Sequence, residues 1–149
     1  MDSFKKIDSH NCIFLTHIEE PEENTLHLII QEGILSDEET TWEIGDAKLE
    51  GVKEISITGK SCAYEVSFDS YIAYSVLNES YTEWDDYDSF DGKLFRIYQK
   101  SRFLDYLKLA SFASEEFPGP FIHYGFCCVN HIVNIASLNE PSIKQLRGT

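Results

Sequence analysis

Along most of this chain apolar and polar positions alternate with a period of two, and one segment alone breaks into helical spacing. Cys12 to Ile18 and Leu26 to Ile30 read as strands, joined by the acidic turn Glu19-Glu20-Pro21-Glu22-Glu23-Asn24. A second polar stretch runs from Ser36 to Thr41. Glu54 to Thr58 alternates as a half-buried strand does, and Gly59-Lys60 makes a tight turn after it. The longest alternation follows: Tyr64, Val66, Phe68, Ile72, Tyr74 and Val76 share one parity, whereas Glu65, Ser67 and Asp69 share the other. One face buried and one wetted is the behaviour of an antiparallel sheet.

Leu94 to Gln99 forms a further strand. Ser101 then offers an N-cap for a helix through about Ala113. On that helix Arg102, Asp105 and Lys108 make one narrow polar stripe. Phe103, Leu104, Leu107, Leu109, Ala110 and Phe112 fill the rest, so the pattern predicts a helix largely buried against the sheet. Pro118-Gly119-Pro120 stops it. Phe121 to Val129 and Ile132 to Ser137 read as a hairpin about Asn130-His131, and Pro141 ends the pairing. The expected class is α+β, a single domain with one main helix on a largely antiparallel sheet and a C-terminal hairpin.

Charge changes the picture most. The chain of 149 residues carries 26 acids and 12 bases, for a formal net charge of −14. The first fifty residues hold 13 acids against 3 bases, and the last third is neutral. Such a surface repels phosphate backbones, which excludes nucleic acid as the expected partner, and it attracts basic proteins. No apolar run approaches the length of a membrane span, and Cys12 to Leu15 is too short for a secretory core. The four cysteines are irregularly spaced. Reduced thiols in the cytoplasm are therefore expected.

Candidate chemistry is sparse. His123 and Cys127 share a strand face but stand roughly 13 Å apart along it, too far for a thiolate and its base. Cys128 and His131 are closer across the turn, with no acid to orient them. Zinc needs paired ligands, and neither Cys127-Cys128-Val129-Asn130-His131 nor His10-Asn11-Cys12 completes a set. No cofactor or metal is expected. The carboxylates of Asp85, Asp86, Asp88 and Asp91 miss the calcium-loop template at its fifth, sixth and twelfth positions. Gly59-Lys60-Ser61 lacks the leading glycine of a phosphate loop.

The segment Glu83-Trp84-Asp85-Asp86-Tyr87-Asp88-Ser89-Phe90-Asp91 instead interleaves acids with aromatics, a composition suited to anchoring and steering a protein partner. Glu19, Glu20, Glu22 and Glu23 form a second acidic candidate surface. Residues 71–146 resemble small bacterial proteins of toxin-immunity gene neighbourhoods. The resemblance is carried by Asn78-Glu79-Ser80-Tyr81, by Phe90 to Arg96, by Lys100 to Tyr106, and by His123-Tyr124 and Glu140-Pro141. Members often hold an acid where Asn134 stands, and no catalytic signature is shared. The resemblance implies an immunity-type inhibitor that neutralises a basic toxin domain by binding. Two other classes compete with it: a small Cys/His- or metal-dependent hydrolase using His123, Cys127 or His131, and a subunit of a larger assembly.

Overall fold

The computed structural model describes residues 2–83 and 85–148. In chain order the elements begin with α1 (Ser3–Asp8), β1 (Ile13–Glu19), β2 (Leu26–Glu32), β3 (Ile34–Ile44) and β4 (Ala47–Ser56). β5 (Ala63–Phe68), β6 (Tyr71–Asn78), a 3₁₀ turn (Glu79–Tyr81), β7 (Ser89–Gly92) and β8 (Phe95–Lys100) follow. The chain closes with α2 (Arg102–Ala110), β9 (Ile122–Cys127), β10 (His131–Ser137) and β11 (Ser142–Arg147).

These strands make three antiparallel sheets. The first has the order β1-β2-β5-β11, the second β6-β10-β9-β8-β7, and β3 pairs with β4 alone. Alternation does what the sequence predicts within single strands. In β2 every second residue (Leu26, Leu28, Ile30) is fully buried, and in β5 Tyr64, Val66 and Phe68 are too. These side chains meet Phe95, Tyr124, Phe126, Val133 and Ile135 of the second sheet in one core. Phe68 packs on Tyr124 at 5.6 Å, and Phe95 meets Phe126 edge-on at 4.7 Å. Each such side chain contributes about 1.5–3 kcal/mol by leaving water.

The α+β expectation is wrong. The protein is mostly β, and the predicted main helix is nine residues long with Leu107 its one buried side chain. Leu109 is 90% exposed and Phe112 beyond it 83%. The physical reason is that each large sheet already covers the inner face of the other, so the core is complete without a side chain from α2. The long alternation from 64 to 76 is likewise two strands. Asp69-Ser70 turns the chain from the first sheet into the second, and Val76 ends 43% exposed at its edge. The polar stretch 36–41 is strand as well, inside β3. The C-terminal hairpin is present, centred one residue earlier than predicted, with Cys128 N–H donating to the His131 carbonyl.

Two side chains tie these parts together. Asn130, at the hairpin turn, accepts from Leu15 N–H and donates to the Leu15 carbonyl, pinning the second sheet to β1. Asp8, the last residue of α1, accepts the N–H groups of Lys93, Leu94 and Phe95 through one carboxylate oxygen. Hydrogen bonds to a charged acceptor are the stronger kind, and Leu94 and Phe95 are buried. Asp8→Ala should therefore cost about 2–4 kcal/mol in urea unfolding, whereas Asp8→Asn, which keeps an acceptor oxygen, should cost less.

Candidate functional site

The acidic segment 83–91 lies against the start of α2, and much of its charge is spent inside the molecule. Arg102 forms an ion pair with Asp85, which also accepts Tyr87 N–H. The hydrogen bond from Arg102 holds the Asp85 carboxyl below the usual range. Asp88 accepts Arg102 N–H at 3.1 Å, and Ser101 caps the same helix by accepting Leu104 N–H at 3.0 Å. Those N–H groups have no partner within the helix, so both contacts fix where α2 begins. Tyr87 donates to Asp105 and lies under Lys100 and Arg102, at 4.2 and 4.6 Å from its ring. Phe90 packs on Tyr98 beneath the Arg96 guanidinium. Asp91 accepts from Gln99 at 2.9 Å. Glu83 and Asp86 are exposed. Trp84, the anchor named from sequence, lies outside the described residues.

At the other acidic candidate, Glu19, Glu20, Glu22 and Glu23 are all exposed; Glu19 pairs with His17 at 3.2 Å, and Glu20 is hydrogen-bonded. It accepts from the hydroxyls of both Tyr71 and Tyr74, and that bond pushes the Tyr71 phenol up to about 12. The two acidic segments are separate in the chain. They share no hydrogen bond among the described residues.

Next to α2 lies a cavity of about 630 Å³ lined by Tyr98, Ser101, Leu104, Lys108, Phe121 and His123, among others. His123 sits at its floor, 1% exposed. Its Nδ1 is 2.8 Å from Ser101 Oγ and its Nε2 is 2.8 Å from Asn134 Oδ1. Asn134 Oδ1 is only an acceptor, so Nε2 carries the proton and Nδ1 accepts from the Ser101 hydroxyl. Tyr98 stacks flat on the ring at 3.9 Å, which Gly125 permits, since a Cβ there would meet the Tyr98 ring at 2.8 Å. Burial pulls the imidazole down to about 4. The order Ser–His–Asn is that of a nucleophile, base and orienter. Yet Ser101 is itself 1% exposed and its oxygen is committed to the α2 cap. The arrangement is that of a packed, satisfied core histidine.

Cysteine chemistry fares no better. Cys127 and Cys128 are free thiols that burial pushes up, away from the thiolate, and His131 Nδ1 is buried without a hydrogen-bond partner.

The feature that sequence reasoning missed is the β3–β4 ribbon. It is ten to eleven residues long on each side and almost wholly exposed. Opposed residues of an antiparallel pair share a face. Trp42 opposes Leu49, and Ile44 opposes Ala47, so the far half of the ribbon carries an apolar face that Val52 extends. Trp42, Ile44 and Leu49 are 45%, 61% and 49% exposed. The opposite face carries the cross-strand pairs Glu43–Lys48, at 3.8 Å, and Glu39–Lys53. Seven acids and two bases stand on residues 34–56. A signal was present: Gly45-Asp46 separates the alternating Trp42-x-Ile44 and Ala47-x-Leu49, and Gly45 has φ +61° at the first turn position.

No protein-family model, curated protein or solved structure matches the chain.

The site therefore rests on its own geometry. Of its groups, His123 has the clearest pH signature. Its folded value, about 4, lies below the ordinary 6.5, so the unfolded chain binds the proton more readily between those values. Its contribution, roughly 3 kcal/mol, is complete above pH 6.5 and disappears as pH falls toward 4. Asn134→Asp places a carboxylate at Nε2 and should raise the His123 pKa. A ¹H–¹³C NMR titration of the ring, beside urea unfolding at pH 5 and pH 7.5, checks both statements.

Proposed function

We propose that this chain is a non-enzymatic, cytoplasmic binding protein that captures a basic protein partner, and that it is an immunity-type inhibitor of a basic toxin domain. The observation that carries the reading is the amphipathic β3–β4 ribbon. A two-stranded ribbon is marginally stable in water by itself, and this one presents Trp42, Ile44 and Leu49 side by side to solvent. Contiguous exposed apolar surface rimmed by charge is the composition of a protein contact. A buried aromatic flanked by aliphatics is the usual anchor of such a contact, with acids at the rim steering approach. The ribbon's net charge of −5, within a chain of −14, selects a basic partner.

Three further points support the reading. The resemblance of residues 71–146 to proteins of toxin-immunity neighbourhoods points the same way. Among the described residues no helix is long and apolar enough to cross a membrane, and all four cysteines are free, as in a reducing compartment. The competing reading, a Cys/His- or metal-dependent hydrolase, draws on His123, Cys127 or His131. It suffers from the burial of His123 and from thiols held protonated.

Capture of the partner from the source cell by the tagged chain tests the proposal. Trp42→Ser with Leu49→Ser should abolish capture, a loss of about 2 kcal/mol or more per anchor, with a smaller change in Tm because both side chains lie outside the core. Glu39→Gln, Glu43→Gln and Glu50→Gln should slow association and flatten its salt dependence while leaving dissociation nearly unchanged. Asn at Asp85, Asp86 and Asp88 should have the smaller effect on association. Wild-type capture by the Trp42/Leu49 double variant would sink the ribbon as the contact surface.

A further inference from the structure

Three segments distant in the chain converge at one corner of the first sheet. His10 follows α1, Glu32 ends β2, and Cys62 directly precedes β5. One ligand atom from each lies within 4.8 Å of the others, the one such convergence of three His, Cys, Asp or Glu side chains among the described residues. His10 Nδ1 is 3.0 Å from Glu32 Oε2. The other carboxylate oxygen accepts Cys62 N–H at 3.1 Å, and Glu32 N–H donates to the Cys62 carbonyl at 2.8 Å. The carboxylate and thiol are thus held together by the backbone as well as by the side chain. Gly148 closes over the sulfur, since a Cβ there would lie 2.5 Å from Cys62 Sγ.

We propose that His10 Nδ1, Glu32 Oε2 and Cys62 Sγ bind one divalent, borderline-soft cation, zinc by preference, with a remaining coordination position left to water. The donor set is the argument for the class of metal. One imidazole, one carboxylate and one thiolate suit zinc, whereas calcium and magnesium take oxygen alone. Zinc bond lengths put tetrahedral ligand atoms roughly 3.3–3.8 Å apart, so the three donors need side-chain adjustments of about 1 Å to close on an ion. His10 and Glu32 side chains are 10% and 24% exposed, which leaves the ion a route in and a water a place to sit.

Tyr64 supplies the outer layer. Its buried hydroxyl is 2.6 Å from His10 Nε2 and stands near the Cys62 thiol. When Nε2–H donates to Tyr64, the Nδ1 lone pair points toward the carboxylate, and two acceptors cannot face each other at 3.0 Å without a cation or proton between them. A metal fills that position, and the Tyr64 hydroxyl then donates to the Cys62 thiolate. A metal-bound histidine whose second nitrogen is held by a fixed partner is the usual outer-layer arrangement. Chain spacing hides the set, because its members lie 22 and 30 positions apart.

Cobalt(II) stands in for zinc as the probe, added to the full-length reduced chain after chelator treatment. One equivalent should produce a near-ultraviolet thiolate-to-cobalt charge-transfer band, and one equivalent of zinc should remove it. Cys62→Ser should abolish the band, whereas Cys12→Ser and Cys127→Ser keep it. His10→Ala and Glu32→Gln should weaken cobalt binding at least tenfold, and Tyr64→Phe by about tenfold. Zinc should also raise the wild-type Tm, because the ion binds only the folded arrangement of the three segments. Should Cys62→Ser not fold, the wild-type band, its zinc displacement and the Glu32→Gln titration decide. Absence of the band in wild type, or its survival in Cys62→Ser, overturns the proposal.

Discussion

Two antiparallel sheets cover each other, and that single constraint decides where everything else goes. The contact of Phe68, Tyr64 and Val66 with Tyr124, Phe126 and Ile135 consumes both inner faces. α1 reaches the core through Ile7 and Phe4, which closes the edge at Phe95, whereas the one buried side chain of α2, Leu107, lies outside it. The β3–β4 ribbon, which adds no strand to either large sheet, is left outside with its apolar residues in water. What looks like an error of patterning, Trp42 and Leu49 exposed side by side, is a consequence of a core already complete without them.

The strands were legible because a period of two survives translation from sequence to sheet with little loss. Leu26-x-Leu28-x-Ile30 and Tyr64-x-Val66-x-Phe68 alternate in burial as they alternate in type. What parity cannot carry is sheet membership. From Tyr64 to Val76 one parity stays apolar except at Ser70, and the chain changes sheets there, because parity records which face a side chain takes and not which sheet owns the face. The helix was mislocated in depth for a related reason. Its apolar residues at 103, 104, 107, 109, 110 and 112 are read as a buried surface only if a free sheet face exists, and that is settled by strands elsewhere. The ribbon was missed because Ser36 to Thr41 is polar on both parities, and because irregular register between Leu35 and Glu39 and between Thr40 and Trp42 interrupts the alternation.

The candidate sites divide in the same way. Side chains close in sequence, such as the acids of 83–91, could be named at once, but their engagement could not. Convergences built from three strands or loops, such as His10, Glu32 and Cys62 or Ser101, His123 and Asn134, leave no spacing to read. They follow from the registers of β2 against β5 and of β9 against β10, in which Gln31 opposes Ala63 and Ala136 opposes His123.

A count of acids says how much charge a chain carries but not how much of it a partner meets. In this protein the two quantities diverge by position. Asp85 is neutralised by Arg102, Asp88 and Asp105 are held in the cap and in the Tyr87 contact, and Asp8 and Glu20 are bound to backbone and phenol groups. Those carboxylates are acceptors in the fold before they are charges on its surface. On the ribbon, Glu43 and Glu39 meet single lysines across the strands, where exposed pairs in water hold each other weakly. The remaining acids there, Asp37, Glu38, Asp46, Glu50 and Glu54, stand exposed beside an apolar face that the core did not take in. Free charge and free apolar surface thus coincide on β3–β4. That coincidence, rather than the net charge of the chain, distinguishes the ribbon from the acidic loop as a place for a partner to bind.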